Sequence, residues 1–315
     1  MRAKEKPRAN ISYARSGSKP TLEKKPGGYG YKNKSSYAKP RTKTLPHART
    51  QSWSQSPKAP RRPTTSWGEV AGWYDEHLTG HDTYHEKVLL PNLLRLVEPT
   101  KNEVIVDLAC GQGYFTRPLA AVGVSMIGID ISEDLIAIAR TKSPNIAYHV
   151  GTAEDLSMLE SESADKVLIV LAIQNIEHIE RLFSETTRIL KTGGALHIIM
   201  NHPAFRIPKQ SSWHYDDKKK VQYRRIDQYL SESRSAIEMH PGKKDSPQTL
   251  SFHRPLQYYF KLLNKAGFAV DRLEEWISHK DSDSGPRAIA ENKARKEIPL
   301  FLYLRAKTPA HPLDE

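Results

Sequence analysis

Residues 104–130 read VIVDLACGQGYFTRPLAAVGVSMIGID. Val104, Ile105 and Val106 form a short β-branched apolar run, long enough for a buried strand and too short for a helix. Asp107 closes that strand. Gly111 and Gly113 allow a tight turn and close approach of the backbone to a ligand, and Tyr114 to Ala121 reads as a helix whose free N–H groups face the turn. A second strand, Met126 to Ile129, ends in Asp130. Strand, glycine turn, helix, strand and acid make one βαβ half of an open α/β sheet, with a ligand expected beyond the carboxyl ends of the strands.

Two cofactor classes use such a layout. A dinucleotide site asks for G-x-G-x-x-G, with the phosphates on the helix N-terminus; here the third position is Thr116. Asp107 at the loop would also repel a pyrophosphate, whereas it suits a cationic amino-acid moiety. The stretch DLACGQG resembles motif I of the class I S-adenosylmethionine-dependent methyltransferases, D/E-x-G-x-G-x-G, with Ala109 in place of the first glycine. That substitution keeps the side chain small and leaves the turn feasible.

The chain has 315 residues, 38% of them hydrophobic, enough for one sizeable core or two. Its formal charge of +12 is uneven: residues 1–65 hold 17 Lys and Arg against 2 acids, a net +15, which leaves −3 for the remainder. This basic segment lacks apolar periodicity and reads as a disordered tail. It has three readings: a solubilising tail, non-specific attraction to nucleic acid with its aromatics stacking on unpaired bases, or a mitochondrial transit peptide without a clean amphipathic helix. Cys110 is the only cysteine, which excludes an intramolecular disulfide and a cysteine-based zinc site and fits a reducing cytoplasm. No apolar run suits a membrane span, no secretory signal is visible, and no carboxylate–histidine cluster has metal-ligand spacing.

Order is expected from Ser66, where Ser66 and Glu69 make a capping box before a helix carrying Trp67, Val70, Ala71 and Tyr74. A second helix is expected over Tyr84 to Val97, kinked or split at Pro91. Trp73 to Leu78, WYDEHL, looks like the entry helix of small-molecule methyltransferases, in which the tyrosine helps close the cofactor pocket; Tyr74 is otherwise a packing residue. Ser132 caps a helix to about Lys142, and Ile146 to Val150 is a third strand.

The resemblance implies that Asp130 takes both ribose hydroxyls of S-adenosyl-L-methionine, since a carboxylate offers acceptors to two donors. It places Asp107, Ala109, Gly111, Gly113 and Ile131 at the cofactor, with Leu171 at the end of the fourth strand, Lys166 to Leu171. GTAEDLS follows the third strand where relatives commonly have G-D-A-x-x-L-P. With Thr152 in place of the acid, either Glu154 or Asp155 meets the adenine amine, or backbone groups around Ala153 do; the acids otherwise cap a short helix. A helix ending at RILKTGG stops at Gly193, and Ala195 to Met200 is the fifth strand. NHPAF after it resembles the strand-end turn of methyltransferases acting on small molecules, not the N/D-P-P-Y/F motif of nucleic-acid amino methylases.

Arg206 to Leu250 reads as an aromatic-rich insertion with one strand in KVQYRRIDQYLS, placed to form a lid that excludes water. SFHRPLQYYFKLLNKAGF is expected as the last helix, with Leu256, Tyr259, Phe260 and Leu263 inward, followed by strands Ala269 to Trp276 and Ile298 to Arg305. The resemblance spans Ser66 to Lys307. It implies an α/β, Rossmann-like seven-stranded sheet, order 3-2-1-4-5-7-6 with strand 7 antiparallel and helices on both faces, within a domain at 66–315. His178, His202, His214 and His253 are candidates for a general base, His214 and His253 being favoured because their segments are expected over the acceptor. Three functions follow: methylation of a small-molecule acceptor, methylation of RNA or protein aided by the tail, or a non-enzymatic binding protein on the same fold.

Overall fold

The computed structural model describes residues 67–78, 80–239 and 245–309, the side chains of Tyr74 and His77 excepted. The segment 1–65 and Ser66 lie outside the described residues, and with them the readings of the tail and of the capping box.

The eleven strands among the described residues are numbered in chain order. The apolar run at residue 104 becomes β1 (Val104–Leu108), paired in parallel with β2 (Ser125–Asp130) on one side and β4 (Ala164–Val170) on the other. Outside these lie β3 (Ala147–Val150), parallel to β2, and β5 (Leu190–Asn201), parallel to β4. β11 (Phe301–Lys307) runs antiparallel to β5, and β10 (Ala269–Trp276) antiparallel to β11. The sheet order is therefore 3-2-1-4-5-11-10, the expected arrangement with its seventh strand, β11, reversed.

Alternation along the strands assigns the two faces. Val106, Val167, Ile169, Leu196, Ile198, Leu302 and Leu304 point one way, onto Leu182 and Phe183 of α5 (Ile179–Ile189) and Tyr259 and Leu263 of α6 (Leu256–Lys265). Ile105, Leu168, Ile199 and Tyr303 point the other way, onto Leu93, Leu96 and Val97 of α2 (Leu90–Val97) and Leu119 of α3 (Thr116–Ala120). These near-continuous apolar runs are what a parallel sheet covered on both faces requires. α4 (Glu133–Lys142) covers β3 through Ile136, Ala139 and Tyr148, and Ser132 Oγ caps it by accepting from Leu135 N at 3.3 Å.

The split expected in the helix over 84–97 is present: a π-helical stretch, His85–Leu89, runs directly into α2, which has Pro91 in its first turn. Other expectations need correction. α5 does not run to Gly193. It ends at Ile189 because Leu190 pairs with Ala164, and the six residues from Leu190 to Ala195 then stand against the three from Ala164 to Lys166. Ser251 to His253 belong to a strand, so α6 starts at Leu256, and Phe260 faces solvent. A further helix, α7 (Ala288–Glu297), follows β10; its only buried residue is Ala294, which left no apolar stripe to read.

The insertion holds two hairpins. β6 (Ser211–Asp216) pairs with β7 (Val221–Ile226), and β8 (Ser233–Glu238) with β9 (Gln248–His253). Among the described residues, no helix is long and apolar enough to cross a membrane.

Candidate cofactor site at the carboxyl ends of the strands

The chain reverses its direction across the sheet between β1 and β4, which opens a crevice at the carboxyl ends of those strands. The turn after β1 fills one side of it. Ala109, Gly111 and Gly113 all take left-handed backbone, with φ of 55°, 57° and 77°. At Gly113 a Cβ would come within 2.4 Å of the Tyr148 hydroxyl, so glycine is required there twice over. At Gly111 a Cβ would meet nothing within 4 Å, because the space beyond is the crevice. Ala109 retains its Cβ in a conformation that costs an L-residue about 1–2 kcal/mol.

Asp130 ties this turn to β2. Its Oδ2 accepts from Gly111 N at 2.8 Å and its Oδ1 from Ser132 N at 2.9 Å, while Cys110 N donates to the Ile129 carbonyl at 3.1 Å. The carboxyl is only 7% exposed, and burial raises its pKa against the lowering effect of these N–H groups. Each oxygen has two lone pairs, so capacity for further donors remains.

Asp107 lies deeper, 2% exposed, its Oδ2 accepting from Thr116 Oγ1 at 2.6 Å. Burial pushes its pKa up to about 7, with the Asp130 charge acting in the same direction and the Thr116 hydroxyl opposing both. Thr116, the residue that breaks the dinucleotide fingerprint, is thus the partner of the motif's acid.

These groups border one cavity with an empty volume of about 1030 Å³, its open mouth included. Four carboxylates line it, Asp107, Asp130, Glu154 and Glu177, and among the described residues no Lys, Arg or His does. Apolar walls come from Ile131, Leu135, Val170, Leu171 and Ile176, and aromatic ones from Trp67, Tyr114 and Phe115. The arrangement favours a ligand with cationic character, an apolar body and several hydrogen-bond donors.

Of the residues singled out from the sequence, Asp107, Ala109, Gly111, Asp130, Ile131, Glu154 and Leu171 line this cavity. Gly113 shapes the turn without lining it, and Ala153 is buried beside Glu154. The side chain of Tyr74 lies outside the described residues. Glu154 Oε1 accepts from His178 N at 3.1 Å at the start of α5, whereas Asp155 faces Ser157 N and is absent from the cavity wall.

The histidines are placed differently from the expectation. His214 is exposed on β6, stacked on Tyr223 and bonded to Ser212 Oγ through Nε2 at 2.8 Å. His253 Nε2 donates to the Tyr229 carbonyl at 2.7 Å, and burial lowers its pKa. His202 accepts from Ala204 N through Nδ1 and meets Glu275 through Nε2. None of these, nor His178, lines the cavity.

Two side-chain amides also line it: Gln112, not singled out in the sequence, and Asn175, expected at the rim after the fourth strand. Gln112 is 1% exposed and lacks a partner for Nε2. Asn175 donates through Nδ2 to the Leu250 carbonyl at 2.8 Å, joining the cavity rim to β9. Arg254, 5% exposed, donates through Nη2 to the carbonyls of Ile176 and Glu177 at 3.1 and 2.6 Å. The second hairpin is therefore anchored at the rim. Trp213 and Tyr215 of the first hairpin do not line the cavity; they lie under Arg224 and Arg287.

A sheet of order 3-2-1-4-5-7-6 with an acidic crevice beyond strands 1, 2 and 4 defines the class I methyltransferase fold. Residues 106–198, from β1 to β5, match the family model described as Methyltransferase domain (Methyltransf_11). The fold is thus that of the class I methyltransferases, and the matched residues hold the glycine turn, Asp130 and Glu154. It is 35% identical over 136 residues to a demethylmenaquinone methyltransferase of Chlorobaculum parvum, covering 42% of this chain and 56% of that protein. It is 30% identical over 158 residues to the biotin biosynthesis bifunctional protein BioHC of Cellvibrio japonicus, covering 50% of this chain and 30% of that one. The chain spans about half or less of the length of these curated relatives. A solved S-adenosylmethionine-dependent methyltransferase from Mesorhizobium loti superposes with a TM-score of 0.58 at 26% identity, covering 71% of this chain and all of that one.

Proposed function

We propose that the protein binds S-adenosyl-L-methionine in this cavity and transfers its methyl group to a small, largely apolar acceptor. The observation that carries the reading is Asp130: a buried carboxylate at the end of β2, aimed by Gly111 N and Ser132 N and bordering a cavity that no basic side chain among the described residues lines. Its remaining lone pairs suit the two ribose hydroxyls. Asp107 suits the ammonium group, and Glu154, or the backbone at Ala153, the adenine amine. Ile131 and Leu171 supply apolar contact. Bound there, the cofactor provides a sulfonium-activated methyl group for in-line displacement.

The chain's own task is to hold the acceptor atom in line at about 3–3.5 Å and to keep water out. Val170, Leu171, Ala172 and Ile176 at the end of β4 form an apolar rim for it, and Arg254 and Asn175 fasten β9 beside that rim. An acceptor whose proton leaves to water needs no general base. The relatives named for demethylmenaquinone support an apolar ring compound as acceptor. The four carboxylates of the cavity disfavour a polyanion such as RNA.

Incubation with methyl-labelled cofactor and fractionated cell extract tests this. Label should enter small organic-soluble metabolites; label in RNA or protein would refute the small acceptor, and no transfer to any fraction would refute the activity.

A further inference from the structure

We propose that Gln112 is the residue that grips the carboxylate at the amino-acid end of the cofactor, an inference that rests on the S-adenosylmethionine reading of the cavity. Gln112 lies between the two turn glycines, is 1% exposed and lines the cavity. Arg117, one turn further on, donates through Nη1 to its main-chain carbonyl at 2.6 Å and through Nη2 to its Oε1 at 2.9 Å. A guanidinium has only donors, so the amide atom facing Arg117 must be the oxygen. The orientation of the amide is thereby fixed, and the NH₂ group is turned away from Arg117. That NH₂ has no hydrogen-bond partner. A buried amide donor left unpaired is unfavourable, and an acceptor entering the cavity would relieve it.

The cofactor brings such an acceptor. Its amino-acid end carries an ammonium group and a carboxylate side by side. Asp107 serves the first; the second needs a donor, and among the described residues no Lys, Arg or His lines the cavity. Of the two side-chain amides in the wall, Asn175 already uses Nδ2 on Leu250. Gln112 remains, and the positive charge of Arg117 behind its oxygen polarises the amide toward an anion. Arg117 is then a positioning residue that acts through Gln112 and does not itself line the cavity.

The test is calorimetric, on the full chain, with two probes: S-adenosylhomocysteine, and 5′-methylthioadenosine, which lacks the amino-acid end. Gln112→Met keeps the bulk and loses the donor. It should weaken S-adenosylhomocysteine about tenfold or more, the usual effect of losing a hydrogen bond to a charged group, and leave 5′-methylthioadenosine within about twofold. Gln112→Glu, nearly isosteric, sets an acceptor against an acceptor and should lower the affinity ratio of the two probes at least as far. Should Gln112→Met fail to fold, Gln112→Glu decides alone. An unchanged ratio in the variants, or an equal loss for both probes, overturns the assignment. If the wild-type protein binds neither probe, the cofactor reading itself falls and this inference with it.

Discussion

The turn from Asp107 to Asp130 and the two hairpins after β5 both border the strand ends, but they are held in opposite ways. In the turn, the buried Asp130 carboxyl accepts from the backbone N–H groups of Gly111 and Ser132, and the buried Asp107 carboxyl from the Thr116 hydroxyl, so a shift of the turn would leave a buried acceptor without its partner. The hairpins expose Trp213, Val221, Tyr223 and Ile226 and are fastened by a few long side chains: Arg224 onto the Phe205 carbonyl, Arg254 onto Ile176 and Glu177, Asn175 onto Leu250. The firmer hold lies where the cofactor is proposed to sit, and the looser one in the hairpins beside the proposed acceptor rim. A fold that keeps one cofactor and varies its acceptors divides in this manner.

The largest expected effect lies on the rigid side. Asp130→Ala removes the acceptor of Gly111 N and Ser132 N as well as the proposed ribose ligand. Affinity for S-adenosylhomocysteine should fall at least about tenfold, measured by calorimetry alongside circular dichroism to establish folding. Normal binding by a folded variant would remove Asp130 from the site.

Next comes Arg254→Met, which loosens the hairpin side. Two rim carbonyls lose a charged donor, so the melting point should drop by the equivalent of about 2–3 kcal/mol. Turnover of the acceptor should suffer more than S-adenosylhomocysteine affinity. Equal losses in both would mean that the hairpin and the cofactor turn form one unit.

Asp107 gives a pH signature. Its pKa is raised to about 7 in the folded protein, so the folded state holds a proton that the unfolded chain gives up near pH 4. Its contribution to the stability of the ligand-free protein is present in full below about pH 4, declines as pH rises, and is lost above about pH 7. Asp107→Asn should flatten that decline and stabilise the protein at pH 8 by about 1–2 kcal/mol, the relief of a buried charge less the cost of an unpaired amide. It should also weaken cofactor binding. Thermal melts at pH 5 and pH 8 check the sign, and a wild-type protein that gains stability over that range through this residue would contradict it.

The smallest effect is Ala109→Gly. Relief of the left-handed backbone at φ 55° is offset in part by the greater freedom of glycine when unfolded, and a net gain of about 0.5–1 kcal/mol is expected in a denaturant midpoint.

The same division governs what was legible in the sequence. β1, the glycine turn, β2 and Asp130 could be read because their signals are local: a β-branched run, small residues at fixed spacing, an acid at a strand end. The sheet order followed from the resemblance those residues carry. Gln112 gave no such signal, since its meaning depends on Arg117 folding back over it. Gly193 misled because a glycine after a helical run looks like a C-cap, while the pairing of Leu190 with Ala164 that ends α5 is non-local. The hairpins and α7 were missed or misdrawn because their faces are mostly exposed and leave little apolar periodicity. The favoured histidines fell outside the cavity for the same reason: where a hairpin packs is decided by contacts such as Tyr229 with His253, which no local spacing encodes.

The central claim is that the acidic crevice beyond β1, β2 and β4 is a site for S-adenosyl-L-methionine. The most direct measurement is parallel calorimetric titration of the full chain with S-adenosylhomocysteine and with NAD. The account predicts saturable one-to-one binding of S-adenosylhomocysteine and none of NAD, whose pyrophosphate would face Asp107 and Asp130. Binding of NAD, or heat from neither ligand, would contradict it.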